Sequence, residues 1–284
     1  MIGSIAFMLL GAAAAPTPCD SLAALKLDKT TITSAQLIPE GPAPARAGGG
    51  ARGAAAGGRG GDGQGARGRG AADAQAPGPQ GGRQAAVGPR AGGPPPAPQM
   101  IPEHCRVQLV LKPSSDSLIN MELWLPPAGK WNGKFMGVGN GGFAGSIQGL
   151  ANDMPQALRL GYATAGTDTG HQDQGGAWAI GHPEKVIDFG YRATHEMTVK
   201  SKQIVKEFYD RAPQYSYFKG CSTGGRMAVM EAQRYPDDYD GIIAGALASR
   251  HIHMWTAGVE RSISLARHPE RAISAEQAAL VNTL

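Results

Sequence analysis

The feature that most constrains the fold is a serine between two glycines, at a point where a strand pattern gives way to a helix pattern. The run reads "YSYFKGCSTGGRMAVMEAQRYP", with Ser222 at the centre of Gly220-Cys221-Ser222-Thr223-Gly224. A strand leads in, and a helix that stops at Pro236 leads out. The flanking glycines allow the close approach of strand and helix that a tight turn needs. This context predicts that Ser222 is an exposed nucleophile at a helix N-terminus.

Two interpretations of Ser222 are open at this point. The chain has 42 glycines among 284 residues, so the five-residue motif is weak by itself and depends on its flanking strand and helix. The alternative to a nucleophile is a serine that only caps the helix.

Strand and helix patterns alternate over the second half of the chain. Residues 105–111 and 119–125 alternate apolar with polar side chains and predict an antiparallel hairpin at one edge of a sheet. Buried strands are also predicted at 162–166 and in "DGIIAGALA", and an amphipathic helix is predicted at 186–210. This alternation predicts an α/β fold with a largely parallel sheet, whose ligands bind at the carboxyl ends of the strands.

Residues 41–100 differ in composition from the rest of the chain. They consist mostly of Gly, Ala, Pro, Arg and Gln, without one aromatic residue. Such a segment buries too little apolar surface to offset its ordering entropy, which predicts a disordered insert. Seven arginines and two aspartates give it a charge of +5, and the remainder of a chain with net charge +4 then carries −1. RNA contact by the Arg-Gly stretch is an alternative, but base stacking needs aromatic side chains, and we expect no nucleic-acid partner.

The N-terminus predicts export. Residues 5–10 form a short apolar run followed by small residues, which indicates a signal peptide over residues 1–15. The run is too short to span a membrane, so we expect a secreted or periplasmic protein with no membrane partner. A buried N-terminal segment is the alternative. Export favours disulfides, and the three cysteines, Cys19, Cys105 and Cys221, leave one without a partner.

A glycine-rich loop follows an earlier strand in "KFMGVGNGGFAG". Its glycines allow a backbone N–H to point at a ligand. The sequence therefore predicts an oxyanion hole from the N–H of Thr223 and that of Gly141 or Gly142. A plain turn is the alternative for this loop.

The chain offers no evident base for Ser222. In this type of fold the acid and the histidine follow the serine, but His251, His253 and His268 follow it too closely. His171 ends a predicted strand and is expected to line the mouth of the site, while His104, His182 and His195 are expected to be structural or at the surface. We assign none of the seven histidines as base and expect the acid and base beyond Leu284.

Several motifs together resemble the tannase and feruloyl esterase family of secreted α/β-hydrolases, which includes a mono(2-hydroxyethyl) terephthalate hydrolase. They are "PEHCRV", "WNGKFMGVGNGGFAGSI", "GYATAGTDTGH", "WAIGHPEKVIDFGYRATHEMT" and "YFKGCSTGGRMAVMEAQRYPDDYDGIIAGA", which together cover most of residues 101–250. The resemblance implies the N-terminal part of an α/β-hydrolase core, truncated at the start of a lid domain.

The resemblance also implies roles for the cysteines. In the family, the cysteine before the nucleophile bonds to a cysteine directly after the catalytic histidine. Cys221 would then be half of a disulfide beside the triad, with its partner missing here, and Cys19 would pair with Cys105. His104-Cys105 is the only His-Cys dipeptide in the chain; it could pair with Cys221, but it has the wrong chain order and lies in a predicted strand.

Composition, the N-terminal pattern and the resemblance together divide the chain into five parts: a signal peptide (1–15), an N-terminal segment (16–40), the insert (41–100), a partial hydrolase core (101–250) and the start of a lid (251–284). Ser274 and Gln277 form a capping box in the last part. No metal or cofactor is expected in this chain, although the family's lid often carries a structural Ca²⁺.

We therefore expect a serine carboxylic ester hydrolase that forms an acyl-enzyme on Ser222 and acts on small esters of aromatic acids, such as feruloyl or galloyl esters. Other acyl-transfer chemistry on the same fold, by an acyltransferase or a peptidase, is one alternative. A non-catalytic truncated remnant that at most binds a ligand is the other. Without an acid and a base, the 284-residue chain is expected to have little or no esterase activity.

Overall fold

A computed structural model describes residues 17–42, 100–173, 175–247 and 249–281. The described residues up to 247 belong to one compact unit and residues 249–281 to a second. The predicted signal peptide and residues 43–99 of the predicted insert lie outside the described residues.

Within the described ranges, nine strands form two sheets. The strands are β1 (Thr30–Ile38), β2 (Gly41–Pro42), β3 (Met100–Ile101), β4 (His104–Leu111), β5 (Ile119–Leu125), β6 (Lys134–Val138), β7 (Ala163–Thr167), β8 (Tyr215–Cys221) and β9 (Gly241–Gly245). Seven of them form one sheet in the order β1-β4-β5-β7-β6-β8-β9, and β2 pairs with β3 alone. In that order, the neighbouring strands from β1 to β7 pair antiparallel, and those from β7 to β9 pair parallel.

The antiparallel half of the sheet contains the predicted hairpin and one strand that was not predicted. β4 and β5 pair in register from Cys105 with Leu125 to Leu111 with Ile119. Their alternating apolar residues are buried, as the pattern predicts. β1 pairs with the other side of β4, so the hairpin is not the edge: the N-terminal segment supplies the edge strand.

The part of the chain that the structure describes also contains six α-helices: α1 (Asp153–Arg159), α2 (Pro183–Ile187), α3 (Ala193–Tyr209), α4 (Thr223–Arg234), α5 (His251–Arg267) and α6 (Ala275–Val281). A π-helical segment, Asp188–Arg192, joins α2 to α3. The predicted helix over 186–210 is therefore present, but near its start, at Asp188–Arg192, it is π-helical rather than α-helical. The core forms where the apolar faces of α3 and α4 meet the sheet, around Phe135, Met197 and Phe218.

β9 differs from its prediction as a buried strand. It lies at the parallel edge of the sheet, and the side chain of Ile243 is 64% exposed. An edge strand has a neighbour on one side only, and apolar composition does not reveal which position in a sheet a strand takes.

The two ends of the predicted insert are close together. Gly41 and Pro42 in β2 pair with Ile101 and Met100 in β3. The residues at 41, 42 and 100 therefore belong to strands, and residues 42 and 100 lie side by side.

The second unit contains α5 and α6. The predicted capping box is present: the N–H of Ser274 donates to Gln277 Oε1 at 2.8 Å, and the N–H of Gln277 donates to Ser274 Oγ at 3.1 Å. These two bonds satisfy backbone donors that the first turn of α6 leaves open. Among the helices that the structure describes, none is long and apolar enough to cross a membrane.

Candidate active site

Ser222 lies at the turn between β8 and α4 in a strained backbone conformation. Its φ is 60° and its ψ is −119°, a region that costs a residue with a Cβ roughly 1–3 kcal/mol. Ser222 takes the N-cap position of α4, yet its side chain makes no capping hydrogen bond to the described helix. A serine selected for capping would make that bond, so the geometry does not support the capping interpretation.

Three glycines bring backbone into direct contact around this turn. A Cβ at Gly220 would lie 2.2 Å from the Gly224 carbonyl oxygen, and a Cβ at Gly139 would lie 2.5 Å from Gly224 Cα. Such distances are far below van der Waals contact, so a side chain at either position would push the backbone apart. The glycines at 220 and 224 thus permit the close approach that the sequence predicts, and Gly139 extends it to the loop after β6.

The loop after β6 is fixed to the first turn of α4. The Asn140 carbonyl accepts a hydrogen bond from the N–H of Gly224 at 2.6 Å, and the Thr223 hydroxyl donates to the Gly142 carbonyl. The Asn140 side-chain amide donates to the Thr167 carbonyl at the end of β7, at 2.7 Å. These bonds hold the loop beside the N-terminus of α4, where the predicted oxyanion donors have to lie.

Gln148 binds one of the two glycines that were predicted as oxyanion donors, Gly141 and Gly142. The N–H of Gly141 donates to Gln148 Oε1 at 2.8 Å, and Gln148 Nε2 donates back to the Gly141 carbonyl at 3.1 Å. The N–H of Gly141 is therefore occupied in this conformation. The N–H of Gly142 has no acceptor among the described residues, which makes Gly142 the available donor of the pair. The sequence offered no signal for Gln148, because only the fold brings its amide back onto the loop.

Each of the four histidines between residues 100 and 247 already has a partner of its own. The partners are the Pro102 carbonyl for His104, the Phe143 carbonyl for His171, the carboxylate of Asp116 for His182 and the carboxylate of Asp238 for His195. A triad histidine also bonds a carboxylate through one ring nitrogen while its other nitrogen reaches the nucleophile's hydroxyl. The assignment of none of these four as the base therefore stays a prediction.

His171 is buried behind the glycine-rich loop. Its Nε2 donates to the Phe143 carbonyl at 2.5 Å, and its ring stacks on Trp178 with 3.9 Å between ring centroids. Phe189 meets both rings. Burial lowers the pKa of His171, which favours a neutral ring. His171 therefore helps to hold the main chain of the loop at Phe143.

Arg226 links the nucleophile turn to the π-helical segment. It follows Ser222 by one turn of α4, and its guanidinium donates to the carbonyls of Gly190 at 2.7 Å and Phe189 at 2.9 Å. It also lies over the Phe189 ring, 4.5 Å from the centroid. Burial lowers the pKa of Arg226 to about 10, so the side chain stays charged at neutral pH. Sequence reasoning missed this residue, because an arginine in an amphipathic helix normally indicates a solvated face.

The cysteines take two different states. Cys19 and Cys105 form a disulfide across 86 residues, the pairing that the family resemblance implies. Cys221 is free and exposed. It ends β8 directly before the nucleophile turn, opposite Gly245 of β9, so its thiol is accessible beside Ser222.

Among the residues the structure describes, one group of three His, Asp and Glu side chains lies close enough to share an ion, and it contains an imidazole. Calcium sites in proteins consist of oxygen ligands, so this group does not have the chemistry of a calcium site. The Ca²⁺ that the family resemblance implies for a lid stays a prediction.

Comparison with known proteins decides the family. A profile of tannase and feruloyl esterase matches residues 105–283. The chain belongs to this family. Feruloyl esterase B of Aspergillus niger is 41% identical over 168 residues, which are 58% of this chain and 32% of that protein. An uncharacterized esterase of Xanthomonas campestris pv. campestris is 47% identical over 155 residues, 54% of this chain and 26% of that protein.

Solved structures of the family show the same fold. Feruloyl esterase B from Aspergillus oryzae superposes with a TM-score of 0.59 at 31% identity, covering 81% of this chain and 36% of its own. Tannin acyl hydrolase from Aspergillus niger superposes with a TM-score of 0.51 at 20% identity, over 79% of this chain and 34% of its own. The α/β-hydrolase fold that the sequence predicts is thus confirmed. The chain spans about a third, or less, of the length of the curated relatives named above.

Proposed function

We propose that this chain carries the nucleophile half of a secreted serine carboxylic ester hydrolase that acts on esters of aromatic acids. The observation that supports the proposal most strongly is the backbone of Ser222, with φ 60° at the strand-to-helix turn. A strained turn of this kind presents the serine oxygen at a helix N-terminus, where backbone N–H groups favour negative charge. Membership of the tannase and feruloyl esterase family supports ester hydrolysis as the reaction and esters of aromatic acids as the proposed class of substrate.

The proposed reaction is acyl transfer in two steps. The Ser222 oxygen attacks the ester carbonyl, a base takes the hydroxyl proton, and the carbonyl oxygen becomes an oxyanion held by the N–H groups of Thr223 and Gly142. The ester C–O bond breaks, and the alcohol leaves with the proton. Water then attacks the acyl-enzyme in the same way, releasing the aromatic acid and restoring the Ser222 hydroxyl.

The base and the acid are proposed to come from sequence that follows Leu284. In this fold the acid and the histidine follow the nucleophile in the chain, and an unactivated serine hydroxyl is a poor nucleophile. Because of the resemblance to the family, Cys221, which is free and exposed here, is proposed to form a disulfide with a cysteine next to that histidine.

A non-catalytic chain is the second candidate, because no histidine that follows Ser222 is assigned as its base. Activity assays separate the two. The protein expressed from the full open reading frame should hydrolyse methyl ferulate or methyl gallate, and Ser222→Ala should lower kcat by about 10⁴-fold or more. The 284-residue chain alone should show little or no turnover. A reading frame that stops after codon 284, or activity unchanged in S222A, would overturn the proposal.

A further inference from the structure

Glu231 is buried without a hydrogen-bond partner on the helix that follows the nucleophile. Its side chain is fully buried, and neither carboxylate oxygen has a partner among the described residues. An unpaired buried carboxylate costs several kcal/mol unless it is neutral, paired or bound to a metal.

Two further ligand groups face Glu231. One ring nitrogen of His195 on α3, one carboxylate oxygen of Asp238 in the loop before β9 and one of Glu231 all lie within 4.8 Å of one another. His195 Nδ1 is 2.7 Å from Asp238 Oδ2. The side chains of His195 and Asp238 are 28% and 13% exposed, so an ion and a water molecule can enter from that side.

Neighbouring groups hold these ligands in place. The His195 ring stacks on Tyr235, with 3.7 Å between centroids, which fixes the plane of the imidazole. The Asp238 N–H donates to the Tyr235 carbonyl at 2.9 Å. Lys202 is the nearby cation, and its ammonium donates to the main-chain carbonyl of Asp238. Neither carboxylate is therefore neutralised by direct contact with the lysine.

We propose that His195, Glu231 and Asp238 form a structural site for a divalent transition-metal ion, zinc above all. An imidazole with two carboxylates suits Zn²⁺ rather than Mg²⁺ or Ca²⁺, and three protein ligands with one water complete a tetrahedral site. Zinc bonds of about 2.0 Å place tetrahedral ligands about 3.3 Å apart. From separations of at most 4.8 Å, the ligand atoms must therefore close by up to about 1.5 Å. The contact of 2.7 Å between His195 Nδ1 and Asp238 Oδ2 must open by about 0.6 Å if both atoms bind the ion.

The site is remote from the nucleophile. Glu231 follows Ser222 by nine residues along α4, about 13 Å at the rise of a helix. A bound ion would tie α3, α4 and the loop before β9 together without touching the reacting atoms. The inference is independent of the proposed esterase activity.

Metal titration tests the proposal. Tag-free chain, stripped with EDTA and dialysed, is titrated with ZnCl₂ against a chromophoric chelator, and its Tm is recorded with Zn²⁺ and with Mg²⁺. We expect one Zn²⁺ per chain and a rise in Tm of about 5 °C at a hundredfold excess over Kd, with no rise in Mg²⁺. Absence of stoichiometric zinc binding would overturn the proposal.

Variants locate the ion. Glu231→Gln keeps the shape of a neutral carboxyl and should fold, so its expected loss of zinc affinity, about 100-fold or more, reports the ligand rather than the fold. His195→Gln should show the same loss. His182→Gln is the matched control, because His182 pairs with Asp116 at the surface; Cys221→Ser tests the free thiol. Both should bind zinc as the native chain does, and zinc binding retained in E231Q would refute the site.

Discussion

At the scale of single residues, the site depends on a serine in a conformation that suits glycine. The backbone at Ser222 has a φ of 60°, and the turn lies between Gly220 and Gly224, whose backbones approach too closely for a Cβ at Gly220. Strain of this kind persists where function requires the side chain. We therefore expect the backbone conformation of Ser222 to lower the free energy of unfolding.

Two substitutions at Ser222 separate backbone strain from side-chain chemistry. Ser222→Gly should raise the free energy of unfolding by about 1 kcal/mol relative to Ser222→Ala, because only glycine adopts this φ without a steric penalty. Urea unfolding at neutral pH measures both. Equal stabilities for the two variants would show that the turn is unstrained.

Asp168, at the end of β7, makes folding stability depend on pH. Burial raises the pKa of Asp168 to about 6, against hydrogen bonds from Asn120 and the Gly170 N–H that favour its ionised form. The folded state therefore holds this proton more tightly than the unfolded state. The resulting stabilisation is present below about pH 4 and is lost as the pH rises through about 6.

Asp168→Asn removes this titration. Between pH 4 and pH 7 the native chain should lose about 2–3 kcal/mol of stability relative to the variant. Urea unfolding of both proteins at several pH values in this range gives the difference. Parallel stability profiles for the two proteins would contradict the shifted pKa of Asp168.

At the scale of elements, the π-helical segment before α3 is held by the nucleophile helix. A π-helical turn shifts its carbonyls away from the usual i→i−4 partners, and Arg226 donates to two of them, at Phe189 and Gly190. The same arginine projects from the first turn of α4. The segment and the nucleophile turn are therefore expected to be stabilised together.

Arg226→Met should destabilise the fold by about 2–4 kcal/mol, because two carbonyls lose charged donors in a buried place. Arg234→Met is the matched control on the same helix. Arg234 lies over the Tyr191 ring at 4.0 Å but is exposed, so its loss should cost less than about 1 kcal/mol. Equal effects in thermal or urea unfolding would show that Arg226 has no special role.

The sequence predicts an element well where burial leaves a clear pattern of apolar residues in it, and poorly where burial does not. β4 and β5 alternate cleanly, because one side-chain set faces the core, and β8 with α4 has a glycine-flanked turn that few other structures use. β1 lacks a strong pattern, since most of its side chains are partly exposed. A π-helical turn of five residues differs too little from α-helical spacing to be seen. The exclusion of Gly141 as a donor depends on one side chain, Gln148, whose position only the tertiary structure fixes.

At the scale of the whole molecule, residues 43–99 interrupt the chain at a single point of the first unit. The paired strands β2 and β3 bring residues 42 and 100 together, and the Cys19–Cys105 disulfide closes the surrounding loop. The composition of the segment predicts disorder, so its removal should not remove contacts that hold the sheet.

Replacement of residues 43–99 by a four-residue turn should therefore leave the fold intact and raise the free energy of unfolding. The gain expected from the shorter loop is about 2 kcal/mol, because closing a loop costs entropy that grows with the logarithm of its length. Circular dichroism and urea unfolding measure the outcome. A destabilised or unfolded deletion variant would show that the segment packs against the rest of the chain.

The central claim is that Ser222 is the acyl-accepting nucleophile. It is tested most directly by trapping the acyl-enzyme: the protein from the full open reading frame is mixed with a slowly hydrolysed aromatic ester, quenched in acid and mapped by peptide mass spectrometry. We predict one aroyl group per chain, on the peptide that contains Ser222, and none in S222A. An adduct on the neighbouring Cys221, or no adduct under conditions of turnover, would contradict the claim.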